Sequence, residues 1–516
     1  LNIYVHVADD KFEHEIWELT RVFFPDHPVK VLSDASAERD NSGEKADGQN
    51  DLFIVAHYTC SGFEIIAESR LEDNGGKVLS TSRRSQKLDE TTRMSHLRQK
   101  REIKKVLCQC VYDVLSQFTG KHPHWGILTG VRPLKVVHNL MDDGLKDQEV
   151  LDVLKSEYYV RDDKASLLVE TAKNQRGVIK SASTQTASLY IHVPFCTTRC
   201  LYCSFPSVVI DGYRGMVDAY IDSLVSELNS VVSLLLQKGV VIQSLYIGGG
   251  TPTALGYDPL ERLLSAIALL LDDHEVGEYT VECGRPDTLD LDKLWMLKAF
   301  GVNRISINPQ TMNQETLDRI GRRHTVEEVV SRFHMARYVG FDCINMDVIV
   351  GLPGEGVPHM ERTMEAIAAL QPDNLTVHTL AVKRASRLKE SLDEYPLVSD
   401  DVAEKMLETC QKWVKEMGLV PYYLYRQKYM VGNLENVGYT KPGKACIYNI
   451  QMMGEKQTIW AFGAGAVSKV YFAENDCIHR VPNVKDVKEY MERLDEMIQR
   501  KMRFIDGSEG GIEDDL

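Results

Sequence analysis

The sequence predicts an α/β fold over residues 188–390, with six parallel strands alternating with helices as either a barrel or a doubly wound sheet. Two observations predict it. Apolar runs fit for buried strands, at 188–193, 244–249, 278–283, 304–309, 343–350 and 374–380, alternate with helical patterns near 213–237, 259–272, 290–300, 325–339 and 358–370. Strands separated by helices join in parallel through right-handed crossovers. Six polar or glycine-bearing motifs also lie at or near the ends of these strands. In both architectures a ligand site gathers at the carboxyl ends of the strands.

Residues 1–180 read as an α+β domain. Leu1 to Val7 alternate as a strand does, and Phe12, Ile16, Leu19, Val22 and Phe23 share a helical face. Residues 34–50 are polar and glycine-bearing, which suits a loose loop. Strands follow near Leu52–Tyr58 and Phe63–Glu68, and Asn74-Gly75-Gly76 makes a turn. A basic stretch (Arg83, Arg84, Lys87, Arg93, Arg98, Lys100, Arg101, Lys104 and Lys105) runs into an amphipathic helix that ends near Gly120. Such a run is either a solvated face or a docking patch for an acidic partner. His122, His124 and Trp125 sit by a Gly/Pro loop and read as packing residues, since two histidines make no complete ligand set. The Ser/Thr run at 181–186 marks a domain boundary, followed by segments 181–390 and 391–516. The last segment holds helices near 400–417 and 484–503 and ends in a Gly-rich acidic tail expected to fray.

Composition narrows the functional class. At 516 residues, 43% hydrophobic and 26% charged, the chain has the make-up of a globular protein of about two to four domains. A net charge of −15 argues against nucleic acid as the main partner. No apolar run reaches bilayer length, so no membrane span is expected. The start does not read as a basic leader with an apolar core. With eleven cysteines, an odd number, this favours a reducing, cytoplasmic setting over a disulfide scaffold.

The chemistry centres on Leu189 to Val193, which forms the first strand, and on the loop after it. Pro194 ends the strand because it has no N–H to donate. Cys196, Cys200 and Cys203 follow. Thiolates so spaced can converge on one metal centre. Three ligands leave one position of a zinc site open, or one iron of a four-iron cube free. After the second strand comes Gly248-Gly249-Gly250-Thr251-Pro252, a backbone bare enough for close approach to a ligand. Glu282 ends the third strand, Asn308-Pro309-Gln310 follows the fourth, Asp347 and Gly351-Leu352-Pro353 mark the fifth, and His378 and Ala381 the sixth.

The Cys-x3-Cys-x2-Cys spacing, with Tyr202 before the last cysteine, resembles the signature of radical S-adenosylmethionine (SAM) enzymes. Together with Tyr-Ile-His-Val-Pro-Phe-Cys, Gly-Gly-Gly-Thr-Pro, Asn-Met-Asp-Val-Ile-Val-Gly-Leu-Pro and the Gly-Ala-Gly-Ala turn, it resembles the coproporphyrinogen III oxidase-like branch over roughly 185–500. The 1–180 extension, with Leu-Thr-Gly-Val-Arg-Pro, is similar to the HemZ subgroup. The resemblance implies a partial (β/α)6 barrel and a mostly helical C-terminal domain. It also implies a [4Fe-4S] cluster on Cys196, Cys200 and Cys203, with SAM on the free iron. On that resemblance Tyr190, Gly249, Glu282 and Val467 would contact the cluster-bound SAM, and Tyr202, Gly250, Thr251, Gln310, Arg322, Asp347 and Ala381 a second one.

The implied reaction is oxidative decarboxylation of coproporphyrinogen III propionates to vinyl groups, with flavodoxin or ferredoxin as electron donor. Lys383, Arg384 and Arg387 are candidates for pairing with the propionates. Two positions depart from the pattern. The oxidase carries a further cysteine where this chain has Phe205. The haem-chaperone relatives carry a His-Asn-x-x-Tyr-Trp motif where this chain has Tyr448-Asn449-Ile450-Gln451-Met452-Met453. Another tetrapyrrole reaction, such as methyl transfer or haem ring opening, and a haem-binding carrier are the alternative readings.

Overall fold

The computed structural model describes residues 1–32 and 51–507. The expected loop at 34–50 and the frayed tail therefore lie outside the described residues. The chain forms two compact units, Leu1–Glu170 and Thr171–Leu516. The division falls inside the helix Asp162–Ser181, upstream of the Ser/Thr run read as a boundary.

The first unit is built on a five-stranded sheet in the order 29–31, 3–7, 52–61, 64–73, 78–87. Ile3, Val5 and Val7 point to one face, as a half-buried strand requires. The helices Glu13–Phe23 and His96–Thr119 contribute Ile16, Leu19, Phe23, Leu107, Val111 and Leu115 to the same core. The strand Val78–Lys87 was not anticipated, because its charged residues hide the alternation. It is an edge strand, and charge there discourages pairing with another chain.

Most of the basic stretch is neutralised within the unit. Arg83 pairs with Glu68, Arg84 with Asp113, Arg98 with Asp143, Lys104 with Glu15 and Lys105 with Glu157. The side chain of Arg93 lies outside the described residues. The loop by His122 holds a buried Trp125.

In the second unit the six expected strands are β1 (Thr186–Val193), β2 (Val241–Gly249), β3 (Glu278–Glu282), β4 (Arg304–Ser306), β5 (Cys343–Val350) and β6 (Asn374–Thr379). They pair in parallel in unbroken chain order. A doubly wound sheet reverses its strand order at a switch point. The absence of a reversal here selects the barrel. The crossovers are α1 (Val217–Gln237), α2 (Tyr257–Leu270), α3 (Leu291–Ala299), α4 (Val326–Val339) and α5 (Val357–Leu370). Asp290 caps α3, and Thr325 with Glu328 forms a capping box on α4. The barrel is partial because β1 and β6 do not pair with each other.

The segment after 391, expected to be a separate and mostly helical domain, carries strands that extend this sheet. α6 (Asp400–Glu416) precedes β7 (Val420–Tyr425) and β8 (Asn436–Thr440), and β8 pairs antiparallel with β6. After α7 (Ile447–Gly454), β9 (Thr458–Phe462) pairs in parallel with β1, and strands 467–472 and 477–482 follow. Helix α8 (Leu494–Ile505) packs on α1.

Among the described residues one helical stretch, Ile210–Gln237, is long and apolar enough to cross a membrane, where the sequence reading expected none. It carries Glu227, fully buried and bonded to Lys501 Nζ at 2.7 Å, to the Tyr490 hydroxyl at 2.7 Å and to Gly463 N–H at 2.9 Å. That is the setting of a core helix, whose apolar faces are covered by its own domain.

Candidate active site

β1 delivers the cysteine loop to the carboxyl end of the barrel. The loop is tied down by backbone: Val208 N–H donates to Pro194 O at 2.8 Å, and Thr251 N–H to Phe195 O at 2.7 Å. The glycine run after β2 lies directly against it. A Cβ on Gly250 would sit 2.6 Å from Phe195 O. Gly249 has φ +111°, and a Cβ there would stand 1.9 Å from the His192 ring. Only glycine admits this approach.

All three cysteines are free thiols, with Cys200 8% exposed and the other two half-buried. Burial pushes Cys196 and Cys203 up from the ordinary thiol range, and each lies within electrostatic reach of Cys200. Thr251 Oγ1 donates to Cys196 Sγ at 3.6 Å, and Arg285 Nη1 to Cys200 Sγ at 3.6 Å. Among the described residues no three Cys, His, Asp or Glu side chains converge on a single ion. A four-iron cube takes its thiolates at separate corners, and this donor set fits such a group.

A ring of polar side chains continues around the strand ends. Glu282 accepts from the Tyr246 hydroxyl at 2.7 Å and from Gly249 N–H at 3.3 Å. Burial raises its carboxyl to about 7, against the opposing Tyr246 hydrogen bond. Asp347 is also raised by burial, but the His378 ring 3.7 Å away, with Asn345 and Thr376, brings it below the ordinary carboxylate range. Tyr425 OH lies 3.3 Å from the other ring nitrogen of His378. Gln310 is held at φ +67° between Asp347 and Ile349 backbone, a strained conformation of the kind that clusters at functional sites.

Arg322 is buried. It donates to the Tyr202 hydroxyl at 3.2 Å and to the carbonyls of Gly284 and Asn308, while neighbouring Arg323 is exposed. Four buried polar atoms around this ring have no partner: His192 Nε2, Asn308 Oδ1, Gln310 Oε1 and Arg322 Nε. Buried polar atoms are rarely orphaned, and these four leave donors and acceptors open to a polar ligand.

Ala381 bridges to Met430 just past β6. Val467, 38% exposed, follows the Gly463-Ala464-Gly465-Ala466 turn, which abuts the end of β1 at His192. Of the three cation candidates Lys383 lies within electrostatic reach of Cys203. It is half-buried, burial pushes its ammonium down, and the nearby Cys203 opposes that shift. Arg384 and Arg387 are exposed. Phe205 is 68% exposed.

Sequence reasoning missed the stacking of tyrosines from different elements. Tyr448 stacks on Tyr246 at 4.4 Å and on Tyr190 at 5.9 Å, and Tyr423 stacks on Tyr425 at 6.2 Å. It also missed Arg285 and Asp287. Their Gly284-Arg285-Pro286-Asp287 turn, one residue beyond Glu282, was the available signal.

The fold and its site define a radical SAM protein, and sequence comparison agrees. The profile of the Radical SAM superfamily matches residues 190–367. The chain is 39% identical over 409 residues to the oxygen-independent coproporphyrinogen-III oxidase-like protein HemZ of Bacillus subtilis, covering 79% of this chain and 82% of that relative. It is 30% identical over 312 residues to the heme chaperone HemW of the same species, covering 60% of this chain and 76% of that relative. Among solved structures, coproporphyrinogen III oxidase (HemN) from Escherichia coli aligns with 64% of this chain and 73% of its own, at 24% identity and a TM-score of 0.48. The chain belongs to the radical SAM superfamily, in its HemN-like, coproporphyrinogen oxidase-like branch. That family's cofactors are a [4Fe-4S] cluster and SAM.

Proposed function

We propose that this protein oxidatively decarboxylates propionate side chains of coproporphyrinogen III to vinyl groups, giving protoporphyrinogen IX. The observation that supports the reading most is Lys383, a half-buried cation past β6 that lies within electrostatic reach of Cys203. A half-buried ammonium there suits a substrate carboxylate held close to the cluster. Cys196, Cys200 and Cys203 would hold the cluster. Tyr190, Gly249, Glu282 and Val467 would line the SAM bound to it, and Tyr202, Gly250, Thr251, Gln310, Arg322, Asp347 and Ala381 a second ligand subsite. When bound, the cluster and SAM supply a 5′-deoxyadenosyl radical.

The chain's own part is to bind and orient. Lys383, with Arg384 and Arg387 outside it, pairs with propionate. The glycine turn and the stacked tyrosines exclude water from the reacting carbon. The propionate would lose one β-hydrogen atom to that 5′-deoxyadenosyl radical and one electron to a one-electron acceptor outside the chain, as the bond to the carboxylate breaks and carbon dioxide leaves. A flavodoxin or ferredoxin in a reducing, cytoplasmic compartment is the electron source this reading needs.

The similarity to HemW supports a second reading as a haem carrier. Against it, the position of the carrier's histidine is Tyr448, which is 4% exposed and packed into the tyrosine stack. Anaerobic incubation of the reconstituted protein with SAM, reductant and coproporphyrinogen III tests both. Protoporphyrinogen IX with 5′-deoxyadenosine is the expected result. Deoxyadenosine with a different tetrapyrrole product moves the reaction elsewhere in the class. A haem Soret band without SAM turnover establishes the carrier.

A further inference from the structure

A thiolate-bound cluster is anionic, and the charges and hydrogen bonds around its sulfurs set how readily it accepts an electron. Thr251 donates a neutral hydroxyl to Cys196 Sγ, and Arg285 brings a charged donor to Cys200 Sγ. Arg285, 4% exposed, lies on the turn after β3. Its Nη1 donates to Cys200 Sγ at 3.6 Å, while Nε and Nη2 donate to Asp287 Oδ1 at 3.1 Å and Oδ2 at 3.3 Å. A buried guanidinium costs several kcal/mol of desolvation unless paired. Asp287 supplies the pairing, which leaves one arm of the fork for the sulfur.

Asp287 is itself held on two further sides. Thr197 Oγ1, next to Cys196, donates to it at 3.0 Å, and His324 Nδ1 lies 3.8 Å away. Its side chain is 20% exposed and borders an open groove of about 590 Å³, also lined by Thr197, Arg214, Lys293 and Arg323. From solvent inward the order is therefore carboxylate, guanidinium, sulfur. The other buried cation near Cys200 is Arg322, and two of its nitrogens are engaged by Tyr202, Gly284 and Asn308.

On the reading that Cys200 ligates the cluster, we infer that Arg285 is a positioning residue that donates to this ligand and raises the cluster's reduction potential, and that Asp287 restrains that effect. The reduced cluster carries one more negative charge, so the nearby cation stabilises it and the nearby anion opposes it. The two substitutions must then act with opposite sign, which a purely structural pair would not do.

The test uses the full-length chain, reconstituted anaerobically with iron and sulfide, without SAM or substrate. The midpoint potential is read from the EPR signal of the reduced cluster during a redox titration, beside iron content per chain. Arg285→Met is expected to shift the midpoint to more negative values, Asp287→Asn to more positive ones, and Arg285→Lys to fall between Met and the parent. Unchanged midpoints, or shifts of the same sign, overturn the inference. If Arg285→Met holds no iron, the sign of the Asp287→Asn shift decides alone, and a null or negative shift overturns it. A parent chain that takes up no iron refutes the cluster assignment itself, a distinct failure.

Discussion

Glu282→Gln replaces a buried carboxyl with an amide of nearly the same shape and should expose a hidden pH dependence of stability. In the folded chain Glu282 is raised from 4.5 to about 7, chiefly by burial. A raised carboxyl contributes stability that is present below its unfolded pKa and lost as pH rises through the folded one. At 1.36 kcal/mol per pH unit the loss is about 3 kcal/mol between about pH 4.5 and 7. His192, buried without a partner for Nε2, is lowered from 6.5 to about 4. Its sign is opposite: the unfolded chain binds the proton more tightly, so stability rises by about 3 kcal/mol as pH climbs from about 4 to 6.5. The two nearly cancel in the cluster-free parent. Glu282→Gln removes one and leaves the other, so its stability should climb by about 3 kcal/mol from about pH 4.5 to 6.5 relative to the parent. Urea unfolding of the full-length chain at several pH values, followed through buried Trp460 on β9, measures the difference. If the variant and parent profiles run parallel, Glu282 is ionised in the fold and the reasoning fails.

Three further outcomes follow from the geometry. Gly250→Ala drives a methyl to 2.6 Å from Phe195 O; the cysteine loop must move, with about 1–3 kcal/mol lost, a lower melting temperature and less iron per chain. Lys501→Met leaves Glu227 buried without its ammonium partner and should cost about 3–5 kcal/mol, while Lys501→Met with Glu227→Leu recovers part of it; chemical denaturation reads both. If Lys383 pairs with a propionate as proposed, Lys383→Ala removes a charge-assisted hydrogen bond of about 1.5–3 kcal/mol, so KM for coproporphyrinogen III should rise about tenfold or more while deoxyadenosine formation without substrate stays unchanged.

The site was legible where chemistry demands a residue type at a fixed spacing. Three thiols on one loop and a glycine run after the next strand are local patterns, and the fold joins them through backbone bonds between neighbouring strand ends. The six strands were legible because parallel strands buried on both faces read as continuous apolar runs. What escaped depends on distant partners. The edge strand Val78–Lys87 looks like a charge run until Glu68 and Asp113 are seen opposite it. The strands beyond 391 are short, and β9 becomes a neighbour of β1 only when the barrel forms. Arg285 reads as an ordinary turn residue until Cys200 stands 3.6 Å from it.

The two departures from the family pattern have different structural meanings. Phe205 is exposed, so an aromatic replaces the oxidase's extra cysteine without any demand from packing, and the three-thiol set is complete without it. Tyr448 is the reverse case. It stacks against both Tyr190 and Tyr246, with Met452 and Met453 packed around the same cluster of side chains. A histidine there would lose ring area from a stack whose pairs are worth about 0.5–1.5 kcal/mol each beyond burial. The residue at the position of the haem motif's histidine therefore packs on Tyr246, whose hydroxyl donates to Glu282.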